Sequence, residues 1–196
     1  MAAIATDLNG TYIFAALEDS SGHQAILRAE ASDLSTWTAV YQPGAGSAAN
    51  VIPAGEGYML FYGNFGTDVG LIRHTISGGT NTDISPNSLG SKVVNCAAVN
   101  PHNENEIMIT VGTDQDVLHS DDAGSTWTTL ENALGFNATA LAPIWDLYNR
   151  PHEVLVAGHN GANIDIRFTP NDFASSTNVE GSLSTSNITN IEVIPE

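Results

Sequence analysis

The chain has 196 residues, the length of one domain or one repeat array, enough to bury roughly two-thirds of its extended surface. Its 22 acidic residues outnumber five basic ones, Lys92 being the only lysine, and the resulting charge of −17 disfavours nucleic-acid and anionic-membrane partners, whose phosphates would repel it. The single cysteine, Cys96, excludes a disulfide framework or a cysteine metal cluster, and its apolar surroundings from Val93 to Val99 predict a buried structural thiol.

At the start, Met1 to Asp7 lack the basic region of an export signal, and no apolar run approaches the ~20 residues of a membrane-spanning helix. First strands are then predicted near Ala2, Ala49, Val94 and Ala140, with a fifth near Ile188, a period of about 46 residues. After a polar turn, a second strand follows in each of the first four units: Tyr12 to Leu17, Tyr58 to Tyr62, Glu106 to Val111 and Glu153 to Ala157. These runs are too short for buried helices and are bounded by Gly, Asn and Pro. Third strands end on an aliphatic residue followed by a cation, at Leu27-Arg28, Ile72-Arg73, Leu118-His119 and Ile166-Arg167. Short fourth strands are visible at Thr38 to Tyr41 and Thr128 to Leu130. The reading is all-β: a β-propeller of four four-stranded blades at 1–48, 49–93, 94–139 and 140–187, plus a surplus strand at 188–196 that either closes the ring or begins a blade completed elsewhere.

Between third and fourth strands the third unit reads Ser120-Asp121-Asp122-Ala123-Gly124-Ser125-Thr126-Trp127, an S-x-D-x-G-x-T-W element. Asp122 can accept backbone N–H groups, Gly124 can take positive φ, Ser120 and Thr126 can cap the turn, and Trp127 supplies an apolar anchor. This element resembles the Asp-box, or neuraminidase-type (BNR) repeat, of β-propellers. Degenerate copies follow the period. Unit one keeps Asp33 and the Thr36-Trp37 ending without the glycine, and unit two has Ser77 for the aspartate over Thr75 to Thr82. Unit four has Asn171 to Ser176, with Phe173 in the anchoring role. The resemblance implies a folding element lying away from the face where family ligands sit.

That opposite face would be built from loops at 18–23, 63–68, 112–116 and 158–163. Phe65 is the one large aromatic at such a tip, read either as a stacking platform or as folded back on its own blade. Asn64, Asp68, Asp114 and Asp116 offer oxygen donors, but their spacing fits no calcium loop and solvated turns are the favoured reading, so no metal and no cofactor is assigned. Arg28, Arg73, His119 and Arg167 at equivalent positions form either a binding ring for an anion or acidic partner, or structural ion pairs to Asp33, Asp122 or Asp172; the structural role is preferred. The sialidase chemistry associated with the resemblance needs converging arginines and a Tyr/Glu pair, and no residue here is marked as catalytic.

The sequence therefore favours a non-enzymatic propeller acting as a binding or structural surface module, such as a virion decoration or tail component or an extracellular adhesin, with protein partners or self-assembly. A carbohydrate-binding lectin is the alternative, and a sialidase-like glycoside hydrolase the third reading. Asn9, Asn137 and Asn187 open N-glycosylation sequons, meaningful only in a secreted protein.

Overall fold

Short β-branched and aromatic runs separated by Gly, Asn and Asp favour antiparallel hairpins, and in the computed structural model every regular element among the described residues is a strand. It describes residues 3–18, 23–45, 47–65, 69–87, 89, 93–112, 116–132, 134–145, 153–161, 163–170, 173 and 177–178. The expected strand at 188–196 lies outside these residues, as do Asp68, Asp114 and Asp172. The chain divides into two units, Met1–Val94 and Asn95–Glu196.

The first unit holds two four-stranded sheets. One comprises β1 (Ala3–Thr6), β2 (Tyr12–Glu18), β3 (His23–Glu30) and β4 (Asp33–Ala45); the other comprises β5 (Ser47–Pro53), β6 (Tyr58–Asn64), β7 (Leu71–Thr75) and β8 (Asn81–Asp83). In each sheet the strands lie side by side in chain order, all antiparallel. Asn81 and Thr82, expected within a box-like turn, instead form the fourth strand. They pair with His74 and Arg73, because the turn between Thr75 and Thr80 closes through backbone bonds alone.

The second unit repeats the plan. Its sheets comprise β9 (Val94–Asn100), β10 (Asn103–Val111), β11 (Asp116–Ser120) and β12 (Thr128–Glu131), then β13 (Asn137–Ile144), β14 (Glu153–Asn160), β15 (Asn163–Thr169) and β16 (Thr177–Asn178). The loop expected at 158–163 is mostly strand, because β14 runs on to Asn160 and pairs there with Asn163. At Gly158 the backbone of β13 comes so close that a Cβ would lie 2.0 Å from the Asn137 carbonyl oxygen, beside the bulge between Ala138 and Ala140. Only glycine fits there.

Alternation along the strands decides each core. In the first unit, Phe14, Ala16 and Ile26 meet Val51, Met59, Phe61 and Ile72. In the second, Met108 and Val117 meet Leu134, Phe136, Val154 and Val156. Fully burying each large side chain contributes roughly 1.5–3 kcal/mol. Cys96, on β9, is only partly buried where the sequence predicts a buried thiol; desolvation pushes its pKa up to about 12, with the Thr110 hydroxyl opposing the shift.

The core of the first unit also contains His74, fully buried between Phe61 at 5.2 Å and Phe14 at 5.8 Å. The Asn81 amide donates to the Val40 carbonyl at 2.8 Å, so its oxygen is the acceptor for His74 Nδ1 at 2.8 Å. Nδ1 therefore carries the proton, and the buried Nε2 has no partner. Burial holds the His74 pKa below the ordinary histidine value, nearby Arg28 adds to this, and the Asn81 bond opposes it. Folding thus disfavours protonation, so this contribution is complete above the unfolded value of 6.5 and is lost as pH falls toward the lower folded value. We expect His74→Leu to flatten the loss of stability between pH 7 and pH 5. Urea denaturation of both proteins across that range measures it, and parallel curves would contradict the assignment.

Candidate functional site

The turn after β11 is closed by side chains from end to end. Ser120 is buried; its Oγ accepts from the Gly124 amide at 2.8 Å and donates to Asp122 Oδ1 at 2.9 Å. Asp122 Oδ1 accepts from the Thr126 amide at 2.8 Å, and Oδ2 from the Thr126 hydroxyl at 2.7 Å. These bonds, the Thr126 amide first, hold the Asp122 carboxyl below its ordinary pKa. Ala123 and Gly124 both have left-handed φ, 61° and 86°, which turns successive amides inward, where the Ser120 and Asp122 oxygens receive them. Trp127 donates its indole N–H to the Gly124 carbonyl at 3.1 Å, and the Ala123 amide donates to Asn105 of β10.

The three other turns keep parts of this chemistry. In the first, the box position falls not in a turn but on the irregular start of β4, where the register shifts between Arg28 and Glu30; there Asp33 Oδ1 accepts from the Ser35 amide at 3.0 Å and from its hydroxyl at 2.6 Å, while Trp37 donates to the Leu34 carbonyl at 3.0 Å, three residues back as in Trp127. In the second there is no carboxylate, and Gly79, with φ 64°, donates to the Thr75 carbonyl. In the fourth, buried Thr169 accepts the Phe173 amide at 2.7 Å, as Ser120 accepts Gly124; Phe173 has φ 67° and sits in the core of its unit.

Asp122 therefore commits both oxygens to its own turn and Asp33 commits Oδ1 to Ser35, while Asp172, the third expected partner of the cations, lies outside the described residues. The Arg28 guanidinium lies 4.6 Å from the Tyr12 ring centroid and donates to the Ile76 carbonyl at 3.2 Å. Arg73 lies 3.9 Å over Tyr58. In both cases the ring is two residues before the cation's cross-strand partner, Phe14 or Leu60, so each pair is a diagonal contact on one sheet face. His119 occupies the same register opposite Met108, and there the diagonal residue is Glu106, whose Oε1 lies 3.3 Å from His119 Nε2. Glu106 Oε2 in turn accepts from Asn100 Nδ2.

Arg167 breaks the expected series. It pairs with Val156, and the residue opposite Leu155, in register with the other cations, is Phe168. A one-residue slip moves a side chain to the other face of a strand, so Arg167 projects with Val154 and Val156 and stacks 5.3 Å over Phe136. Phe65 likewise serves as no loop-tip platform: it is 5% exposed and packs edge-on against Tyr41 at 5.3 Å. Its amide bonds Val69, turning the ring back into the first core. Asn64 ends β6 and Asp116 begins β11, while Asp68 and Asp114 lie outside the described residues.

Sequence reasoning missed Tyr12, Tyr58 and His74. The two tyrosines stand 46 residues apart at the head of second strands, a signal that was available. His74 follows Ile72 by two, which places it on the same buried face.

No protein-family model matches the chain, and no curated protein matches it. Solved structures do. The GH74 xyloglucanase of Xanthomonas campestris aligns with a TM-score of 0.61 and 16% identity, over 93% of this chain and 32% of its own. YCF48 of Cyanidioschyzon merolae aligns at 0.51 and 16%, over 86% and 50%, and prolyl oligopeptidase B of Galerina marginata at 0.54 and 14%, over 96% and 28%. These are β-propeller proteins, so the likeness supports the fold class, and the chain spans at most half of each.

Removing a buried acceptor leaves its amide without a partner, which costs about 1–3 kcal/mol. Ser120→Ala and Thr169→Val should each lose that much in chemical denaturation, and Thr169→Ser should restore most of the loss. Equal stability of all three variants with the parent would show that the hydroxyls do not hold the turns.

Proposed function

We propose that the four sheets are successive blades of one β-propeller, with the Ser120 to Trp127 turn as its complete Asp-box and three degenerate copies. On this reading the protein is a non-enzymatic surface module, a virion decoration or tail component or an extracellular adhesin, working through protein partners or self-assembly. The carrying observation is that, among the described residues, the repeat-equivalent polar groups serve the scaffold: Asp122 closes a turn, Arg28, Arg73 and Arg167 stack on separate rings, and His119 pairs with Glu106. A rigid frame of that kind suits display of loops rather than turnover. Two of the similar structures are enzymes, but at 16% and 14% identity the likeness extends to fold and not to chemistry. The sialidase-like reading draws less support, because it calls for converging arginines. The glycan-binding alternative is favoured by one feature, a polar cleft on the first sheet.

Self-assembly of a chain with charge −17 must overcome mutual repulsion, which salt screens. Light scattering on size-exclusion fractions should give a discrete multimer, strengthened at high salt. A 20.6 kDa species at every concentration and salt would overturn the assembly reading.

A further inference from the structure

At the turn end of the first sheet, Tyr12, Arg28, Ala29, Glu30, Asp33, Thr36 and Thr38 line an open cleft of about 280 Å³. Cross-strand register explains the grouping: Tyr12 pairs with Glu30, Glu30 with Asp33, and Arg28 with Thr38, so their side chains meet on one face. Arg28 is already fixed by the Tyr12 ring and the Ile76 carbonyl, which presents its remaining N–H groups in a set orientation at low entropic cost. Asp33 uses Oδ1 for Ser35, leaving Oδ2, and Glu30 is exposed. Thr36 and Thr38 add hydroxyls that both donate and accept.

We infer that this cleft binds a neutral, monosaccharide-sized polyol. The inference rests on the glycan-binding form of the proposed module. Alternating donors and acceptors match hydroxyl groups, each of which does both. An anion would meet Glu30, Asp33 and the overall negative charge. A cation would meet Arg28, which already covers the Tyr12 face it would seek. The shortened turn of this unit makes the cleft: Asp33 closes on Ser35 only two residues later, whereas Asp122 reaches four residues on to Thr126.

The test uses the full chain, labelled with ¹⁵N, titrated with the methyl glycosides of glucose, galactose, mannose and N-acetylglucosamine, and with N-acetylneuraminic acid as the anionic comparison. At least one neutral glycoside should shift the amides of Tyr12, Glu30 and Thr38 with a millimolar Kd. Glu30→Ala and Thr38→Val, both at exposed positions, should each weaken it about tenfold, the equivalent of one lost hydrogen bond. Thr126→Ala, in the other unit, should not. Shifts elsewhere that both cleft variants leave unchanged would overturn the cleft while sparing the glycan reading. No shift from any sugar at about 100 mM, two decades above a millimolar Kd, would overturn both. Tighter binding of N-acetylneuraminic acid than of every neutral glycoside would overturn the ligand class.

Discussion

The reversal between the third and fourth strands is the constraint on which the rest depends. A narrow four-stranded meander must turn the chain sharply at each edge, and a sharp reversal brings consecutive amides inward, away from water. Unless an acceptor meets them, the turn costs more than the short outer strand returns. Ser120 and Asp122 supply the acceptors in one sheet and Thr169 in another. Where no such side chain exists, between Thr75 and Thr80, a tight backbone turn with Gly79 does the same work.

Those turns also place the charged residues. A cation next to the turn would be costly to bury alone, and each has a partner chosen by strand register: Tyr12 for Arg28, Tyr58 for Arg73, Glu106 for His119. The third pair replaces a cation over a ring by an acid and a base at the same diagonal position. The frame is thus repeated in geometry while its chemistry varies from sheet to sheet. The cleft on the first sheet follows from such variation, since a shorter turn leaves Glu30, Thr36 and Thr38 facing solvent.

Much of this was legible in the sequence, and what was not has physical causes. The 46-residue period and the strands were readable because apolar runs and turn residues are local signals. The Ser120 to Trp127 turn was readable because its donors and acceptors lie within eight residues. Arg167 was misplaced because sequence spacing cannot resolve a one-residue slip, which alternation converts into a change of face. Phe65 was ambiguous because a loop aromatic's direction depends on a distant partner, here Tyr41. The Arg28 and Tyr12 contact needs the register of two strands, and the cleft needs that of three.

Amide hydrogen exchange on the full chain tests the central claim most directly, because it reads the turn donors one by one. The account predicts that the Gly124 and Phe173 amides, held by Ser120 and Thr169, exchange as slowly as those of Ile109 and Val156 in the middle of their sheets. Rapid exchange at both turn amides while the strand amides stay protected would contradict it, and would mean that the sheets hold together without closed turns.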